Sequence, residues 1–243
     1  MFKIDVLKEQ GPVRKMNEDS YIGLVIEIYS GEQVAVCAIA DGLGGYKGGE
    51  IASNIAVTSI REWFCKEYRY REDNEEVLNK VFRRIQDSVQ KEAVKRDHFM
   101  GTTLTLLIAY EDTYHIYHVG DCRVYHMHNK LERITEDHTQ AYRRWQRGDI
   151  SEEEYHESKE KQMLYSCLGM LEFTMEVEEG EVHVGDSFLL CTDGLHNQVR
   201  DDEIYKEIKA GGNVLQRLFN MASSRKEADN ITCIYVDVRE DAR

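Results

Sequence analysis

The chain has 243 residues, 42% hydrophobic and 31% charged, a balance that supports a packed core without staples and excludes a disordered chain. Lys and Arg number 31 against 45 Asp and Glu, and the net charge of −14 argues against nonspecific binding to nucleic-acid backbones or anionic membranes. A single proline, with no Pro- or Ser-rich linker, low-complexity tract or internal repeat, points to one domain over residues 1–243.

The N-terminus, MFKIDVLKEQ, is too interrupted by charge for a signal-peptide core. No apolar run approaches a ~20-residue membrane span. A cytoplasmic location is therefore expected. Residues 20–29 and 33–40 read as strands. The second, QVAVCAIA, is almost wholly apolar and should lie centrally, covered on both faces. Glycines cluster at positions 42, 44, 45, 48 and 49, and a helix follows. Its apolar face is Ile51, Ala52, Ile55, Ala56, Ile60, Trp63 and Phe64, at three- and four-residue steps. A second helix is expected from Asp73, with Glu76 at capping-box spacing and a stripe of Val77, Leu78, Val81, Phe82, Ile85 and Val89. The two helices should pair and cover a sheet.

Strands are expected at 103–110, 114–119 and 122–128, separated by the turns Glu111-Asp112 and Gly120-Asp121. From Glu136 to Lys161 the chain is polar and helix-prone, with a Ser151–Glu154 capping box after Gly148. Strands return at 173–178 and 186–192. Short helices follow near 201–209 and 213–224. The last strand, 231–238, alternates, with Thr232, Ile234, Val236 and Val238 on one face. Runs of strands interrupted by a helix pair indicate an α+β fold with mostly antiparallel sheets. The six cysteines form no C-x-x-C pair and read as buried free thiols.

Acidic residues mark strand ends and turns: Glu18-Asp19, Asp41, Asp193 and Asp229. Asp41 and Asp193 follow apolar strands and precede glycines, which let backbones approach closely. Each Asp-Gly alone reads equally as an ordinary turn. Convergent carboxylates are what Mg²⁺ or Mn²⁺ requires. The GGYKGG run fits neither a phosphate-cradling P-loop nor a dinucleotide fingerprint. No Cys-x5-Arg loop supplies a cysteine nucleophile.

The segments VRKMNEDS (13–20), ADGLGGYKGGEIAS (40–53), GTTLT (101–105), VGDCRVY (119–125), ITEDHT (134–139), CLG (167–169), GDSFLLCTDGL (185–195) and ADNITCIYV (228–236) occur in the order of one known family. Together they resemble the metal-dependent Ser/Thr protein phosphatases, the PPM or protein phosphatase 2C family, in its stand-alone bacterial form. The resemblance implies a sandwich of two antiparallel sheets flanked by helix pairs, with a metal centre at one edge. It implies that Asp41 bridges two Mn²⁺ or Mg²⁺ ions, with the Gly42 carbonyl on one and Asp193 and Asp229 on the other. Glu18 and Asp19 would complete the shell, and Arg14 would grip the substrate phosphate. Metal-generated hydroxide would attack phosphorus directly.

Two departures bear on that expectation. Leu43 stands where some family members carry a His proposed to protonate the leaving group. Asn197 stands where many carry an Asp that helps Asp121 bind a third ion, so a third ion should bind weakly. His126 and His128 sit like strand neighbours, but no third and fourth zinc ligands are evident, so they read as structural or surface residues. His138 reads as local structure and Asn230 as a turn residue. Residues 140–165 form an expected flap near the site. The implied partners are phosphoproteins and an opposing Ser/Thr kinase. The competing reading is a non-catalytic binding module on the same fold.

Overall fold

The computed structural model describes the chain except residues 13, 29–30, 45–47, 226–228 and 241–243. The chain runs β1 (Phe2–Glu9), β2 (Ser20–Glu27), β3 (Gln33–Ala40) and a two-residue β4 (Gly42–Leu43). Helices α1 (Gly48–Lys66) and α2 (Glu75–Arg96) follow. Then come β5 (Gly101–Thr102), β6 (Leu104–Ala109), β7 (Thr113–Val119), β8 (Arg123–Met127) and β9 (Leu131–Arg133). Helices α3 (Gln140–Gln146) and α4 (Glu152–Glu157) and a 3-10 turn (Lys159–Gln162) lead to β10 (Glu176–Glu181) and β11 (Ser187–Cys191). The chain closes with α5 (Asp193–His196), α6 (Asp201–Ala210), α7 (Val214–Ser223) and β12 (Ile231–Val238).

Two five-stranded sheets result, ordered β1-β12-β11-β8-β9 and β10-β7-β6-β3-β2, with β4 and β5 as a separate pair. Every pairing is antiparallel. Three apolar layers hold the stack together. Ala35, Cys37, Ile39, Leu107, Ile116, Val124, Phe188, Leu190, Ile234 and Val236 fill the space between the sheets. The alternate residues of β3, Val34, Val36, Ala38 and Ala40, pack outward under α1 and α2. Cys191, Ile231 and Cys233 pack under α6 and α7 with Ile204, Leu215 and Leu218. The expected α-β-β-α sandwich is therefore the architecture, and β3 is covered on both faces. Burying a side chain such as Phe188 or Leu190 contributes about 1.5–3 kcal/mol.

Several elements differ from the sequence expectation for identifiable reasons. The N-cap of α2 is Asn74, whose side chain accepts from the Val77 N–H at 3.1 Å, and not Asp73. Asp73 is buried instead. Its carboxylate accepts from the Tyr110 hydroxyl and lies 2.8 Å from His115 Nδ1, while its carbonyl accepts from the Tyr117 hydroxyl. Strand β10 begins at Glu176, three residues beyond the expected start, because its pairing with β7 begins there, although Phe173 and Met175 already pack on the helix-side core. Its glutamates suit an edge strand, where charge discourages pairing with another chain. The first expected strand ends at Glu27, and its expected residue 29 lies outside the described residues. The expected helical stretch is two short helices and a turn around a small core of Ala141, Tyr142 and Tyr155, and the Ser151–Glu154 capping box forms. All six cysteines are free, but Cys65 is exposed rather than buried.

Candidate active site

The acidic residues singled out from sequence meet at one edge of the sandwich. Asp41 leaves β3 in one sheet. Asp193 follows β11 and Asp229 precedes β12, antiparallel neighbours in the other sheet. Asp121 lies on the turn that carries the chain from β7 in one sheet to β8 in the other. A cavity of about 330 Å³ is lined by Asp41, Asp193, Asp229, Asp121, Glu18 and Arg14, with Gly42, Leu43, Gly44 and Asn230. Gln162 and Leu164 complete the wall, so the expected flap does reach the site. Asp19 is absent from that lining. It is buried below, and its Oδ2 accepts from Thr232 Oγ1 at 2.6 Å and Thr192 Oγ1 at 3.2 Å.

Two glycines make this convergence sterically possible. A Cβ on Gly42 would lie 2.1 Å from the Gly49 carbonyl oxygen, and one on Gly194 would lie 2.0 Å from that of Asn230. Any side chain there would separate the segments that carry Asp41 and Asp193 from their neighbours. Threonines of the GTTLT segment then lock Asp41 in place. Thr103 Oγ1 accepts from the Asp41 N–H at 2.8 Å, and the Asp41 carbonyl accepts from the Thr103 N–H and Thr102 Oγ1, each at 2.9 Å. Asn230 pins the N-terminal loop, accepting from the Gly11 N–H at 3.3 Å and donating to the Met16 carbonyl at 3.1 Å. That loop carries Arg14, whose guanidinium pairs with Asp229. Glu18 accepts from the Gly49 backbone, tying the start of α1 to the cavity wall.

The electrostatics are strained. Burial, followed by the charges of Asp19, Asp193, Asp121 and Asp229, pushes Asp41 well above the usual carboxylate range. Burial and then Asp193 do the same to Asp121. Burial and the neighbouring Asp229 raise Asp193 to about 6, although Arg14 offsets part of the push. Burial raises Asp19 to about 7 against the lowering hydrogen bonds from its threonines. One guanidinium does not neutralise five or six carboxyls. A set of only oxygen donors, crowded enough to hold protons, fits hard divalent cations that would displace those protons. The residues present therefore fit Mn²⁺ or Mg²⁺.

Sequence reasoning missed other groups. Arg123 in VGDCRVY and Asp137 in ITEDHT form a buried bidentate pair, with Nε to Oδ1 at 2.8 Å and Nη2 to Oδ2 at 2.7 Å. The Tyr155 hydroxyl of α4 donates to Asp137 at 2.6 Å, anchoring the flap. An arginine between the apolar Cys122 and Val124, at the start of β8, was the available signal. Asn197 donates from Nδ2 to Asp193 Oδ2 at 3.1 Å. His138 is local structure: its Nδ1 accepts from the Gly120 N–H at 3.1 Å.

A family model described as protein phosphatase 2C matches residues 15–232. The serine/threonine phosphatase Stp of Listeria monocytogenes is 32% identical, the match covering 94% of this chain and 93% of that protein. The crystal structure of the serine/threonine phosphatase Stp1 from Staphylococcus aureus superposes with a TM-score of 0.88 at 25% identity, over 99% of this chain and 96% of that one. A structure of the catalytic domain of the serine/threonine protein phosphatase PstP in complex with two manganese ions superposes with a TM-score of 0.83 at 27% identity, over 98% and 99% of the two chains.

Proposed function

The chain belongs to the protein phosphatase 2C family, and from that premise we propose how its residues divide the hydrolysis of phosphoserine and phosphothreonine in proteins. The activity is that of a metal-dependent protein serine/threonine phosphatase. The observation that carries the assignment of roles is the single cavity in which Asp41, Asp193, Asp229, Asp121 and Glu18 face one another with Arg14 at the rim. Asp41, the Gly42 carbonyl, Asp193 and Asp229 would hold two Mn²⁺ or Mg²⁺ ions, with Asp121 available to a weaker third. Bound there, the cations supply positive charge for the phosphoryl oxygens and lower the pKa of water towards neutrality.

The chain's own groups do the rest. Arg14 is half-exposed and, among the described residues, its guanidinium is held by Asp229, so it can exchange that carboxylate for two phosphate oxygens. Asn230, by fixing the loop, aims it. Glu18 supports the wall through Gly49, and its carboxyl is raised chiefly by burial. Asp19, hydrogen-bonded beneath, acts through its charge on Asp193 and Asp229 and not by touching substrate. Leu43 lines the cavity and offers no proton. Among the described lining residues there is no imidazole or thiol. Protonation of the leaving alkoxide would then fall to water or to another residue of the cavity. Gln162 and Leu164 let the flap contact residues flanking the phosphorylated one.

The substrates are phosphorylated proteins, and a serine/threonine kinase acting on the same proteins is the opposing activity. Among the described residues no helix is long and apolar enough to cross a membrane. Six free cysteines support a reducing compartment, the cytoplasm. The test is hydrolysis of a phosphothreonine peptide with Mn²⁺, with Mg²⁺ and with chelator, beside Asp193→Asn. Turnover should require metal and fall roughly 10³-fold in the variant, matching the several kcal/mol a metal contributes. Turnover that survives both chelation and the substitution would overturn the assignment. Absence of turnover in folded, metal-loaded protein would favour the binding-module reading.

A further inference from the structure

At the opposite ends of β8 and β11 from the acidic cavity, three histidines surround one buried carboxylate. Asp186 precedes β11, whereas Asp193 follows it, and five strand residues put the two roughly 17–20 Å apart. Asp186 is 1% exposed. Its Oδ1 lies 2.6 Å from His128 Nδ1. Its Oδ2 lies 2.9 Å from His126 Nε2 and accepts from the His183 backbone N–H at 2.9 Å. His126 is fixed by stacking on Phe188, with ring centroids 4.4 Å apart. The rings of His128 and His183 lie 4.8 Å apart, and both side chains are about half exposed, at 45% and 52%. The His183 ring nitrogens stand 3.7 Å from Asp186 and 3.6 Å from Glu181, beyond hydrogen-bond distance. The third and fourth partners that His126 and His128 lack in the sequence are thus supplied by a turn some 55 residues away.

We propose that His128, His183 and Asp186 form a second metal site, specific for a borderline divalent ion such as Zn²⁺ and separate from the catalytic centre. The donor atoms of the three residues all lie within 4.8 Å of one another. Ligands of one tetrahedral zinc are about 3.3–3.5 Å apart, given bonds of ~2.0–2.2 Å. The widest pair must close by up to roughly 1.3–1.5 Å, and His128 Nδ1 must part from Asp186 Oδ1, now 2.6 Å away, by about 0.7–0.9 Å; His183 sits on an exposed turn that can move. Two imidazoles and a carboxylate favour zinc over the hard ions of the acidic cavity. His126 on the second carboxylate oxygen orients the ligand, as the outer partners of metal sites do. Glu181 lies beside His183 Nε2, whereas Asp186 lies beside Nδ1, so water would complete the coordination.

A second histidine cluster shows what such a site must have. His118, His138 and Glu176 are also close together. There, however, His118 Nδ1 meets Thr105, its Nε2 meets the Glu136 carbonyl, and His138 Nδ1 meets Gly120, all in the interior. Those lone pairs and protons are committed. At His128 the engaged nitrogen, Nδ1, meets only Asp186, itself a member of the proposed site, and the His183 ring nitrogens lie beyond hydrogen-bond distance of Asp186 and Glu181. The connection between β10 and β11 passes from one sheet to the other. A zinc ion at its turn would fasten that crossing to the end of β8.

The experiment is calorimetric titration of the full chain with Zn²⁺, with excess Mg²⁺ kept in the catalytic centre. Wild type, Asp193→Asn and the double variant His128→Ala/His183→Ala are compared. Wild type and Asp193→Asn should bind one zinc that the double variant loses by at least about a hundredfold, while the double variant keeps its Mn²⁺-dependent activity. Equal zinc binding in the double variant, or loss in Asp193→Asn alone, overturns the site. Should the double variant not fold, His183→Gln decides the question through the visible spectrum of bound Co²⁺. Loss of tetrahedral d–d intensity supports the site, and unchanged intensity refutes it.

Discussion

Two buried ionic regions lie side by side in this molecule and are built on opposite terms. Under the flap, Asp137 meets Arg123 in a bidentate pair, with Tyr155 completing its hydrogen bonds. Burial alone would push Asp137 upward, but Arg123 overrides it and holds the carboxylate far below its usual range. In the cavity next to it, Asp121 is buried and Asp41 and Asp193 are partly exposed to the cavity, and they meet mainly one another, so all three are raised. The first region is a finished structural joint. The second is unfinished as protein, and its missing charge must come from a ligand. The charge of Asp137 also reaches Asp121 and helps to raise it.

The sharpest way to break this comparison is to remove one aspartate from each region and read stability without metal. Asp137→Ala leaves buried Arg123 with two tyrosine hydroxyls and the more distant, exposed Asp201 at 3.7 Å in place of its bidentate partner. Such loss costs about 3–5 kcal/mol, and the melting temperature should fall by roughly 10 °C for a chain of this size. Asp193→Asn should do the reverse. Removing one charge from a crowded, cavity-facing set should raise metal-free stability at neutral pH by on the order of 2 kcal/mol, discounted for solvent in the cavity, even as activity is lost. If calorimetry shows both variants destabilised alike, the distinction between joint and ligand site fails.

The same contrast has a pH signature. Asp193 is raised to about 6 and Asp19 to about 7, so the folded chain binds more protons than the unfolded one between about pH 4 and 7. Their contribution to metal-free stability is full below that window and is lost as pH rises through it. Asp137, held low, contributes with the opposite sign and fails only in strong acid. Saturating Mg²⁺ should cancel the loss, because the cation takes the place of the protons. The melting-temperature gain from Mg²⁺ should therefore be larger at pH 8 than at pH 5. An equal gain at both values would mean that the ion binds elsewhere.

Much of this architecture was legible from periodicity. The ends of β12 follow from alternation at two residues, those of β3 from a nearly unbroken apolar run, and the buried stripes of α1 and α2 from the 3.6-residue period. The site was legible as a set of aspartates at strand ends, but only their family order said that they converge. Nothing local in the sequence brings Asp41 of one sheet to Asp193 of the other. Polar residues whose partners lie on distant strands were misread or unread. Asp73 looked like a helix cap because its tyrosine and histidine partners are about 40 residues away. Arg123 and Asp137 sat inside recognised segments without a role, since a pairing across a turn between β8 and the flap has no period. Asp19 looked equivalent to Glu18, yet adjacent residues on an extended chain point to opposite sides. Glu18 lines the cavity and Asp19 lies beneath it.

The finest test touches only one hydroxyl. Tyr155 is the link between the joint and the flap: its hydroxyl donates to Asp137 at 2.6 Å and accepts from Arg123 Nη2 at 2.9 Å, while its ring stacks on Trp145. Tyr155→Phe keeps the ring and removes the hydrogen bonds. A hydrogen bond to a charged partner contributes about 1.5–3 kcal/mol, but Asp137 retains both bonds from Arg123, so the loss should fall at the low end. It should also be local. Hydrogen exchange should quicken in residues 140–163 and stay unchanged in β3 and β11, because the flap has its own small core and is tied to the sandwich at few points. Since Gln162 and Leu164 line the cavity, KM for a phosphopeptide should rise more than kcat falls. A uniform change across the molecule would mean that Tyr155 is ordinary core, and that the joint does not govern the flap.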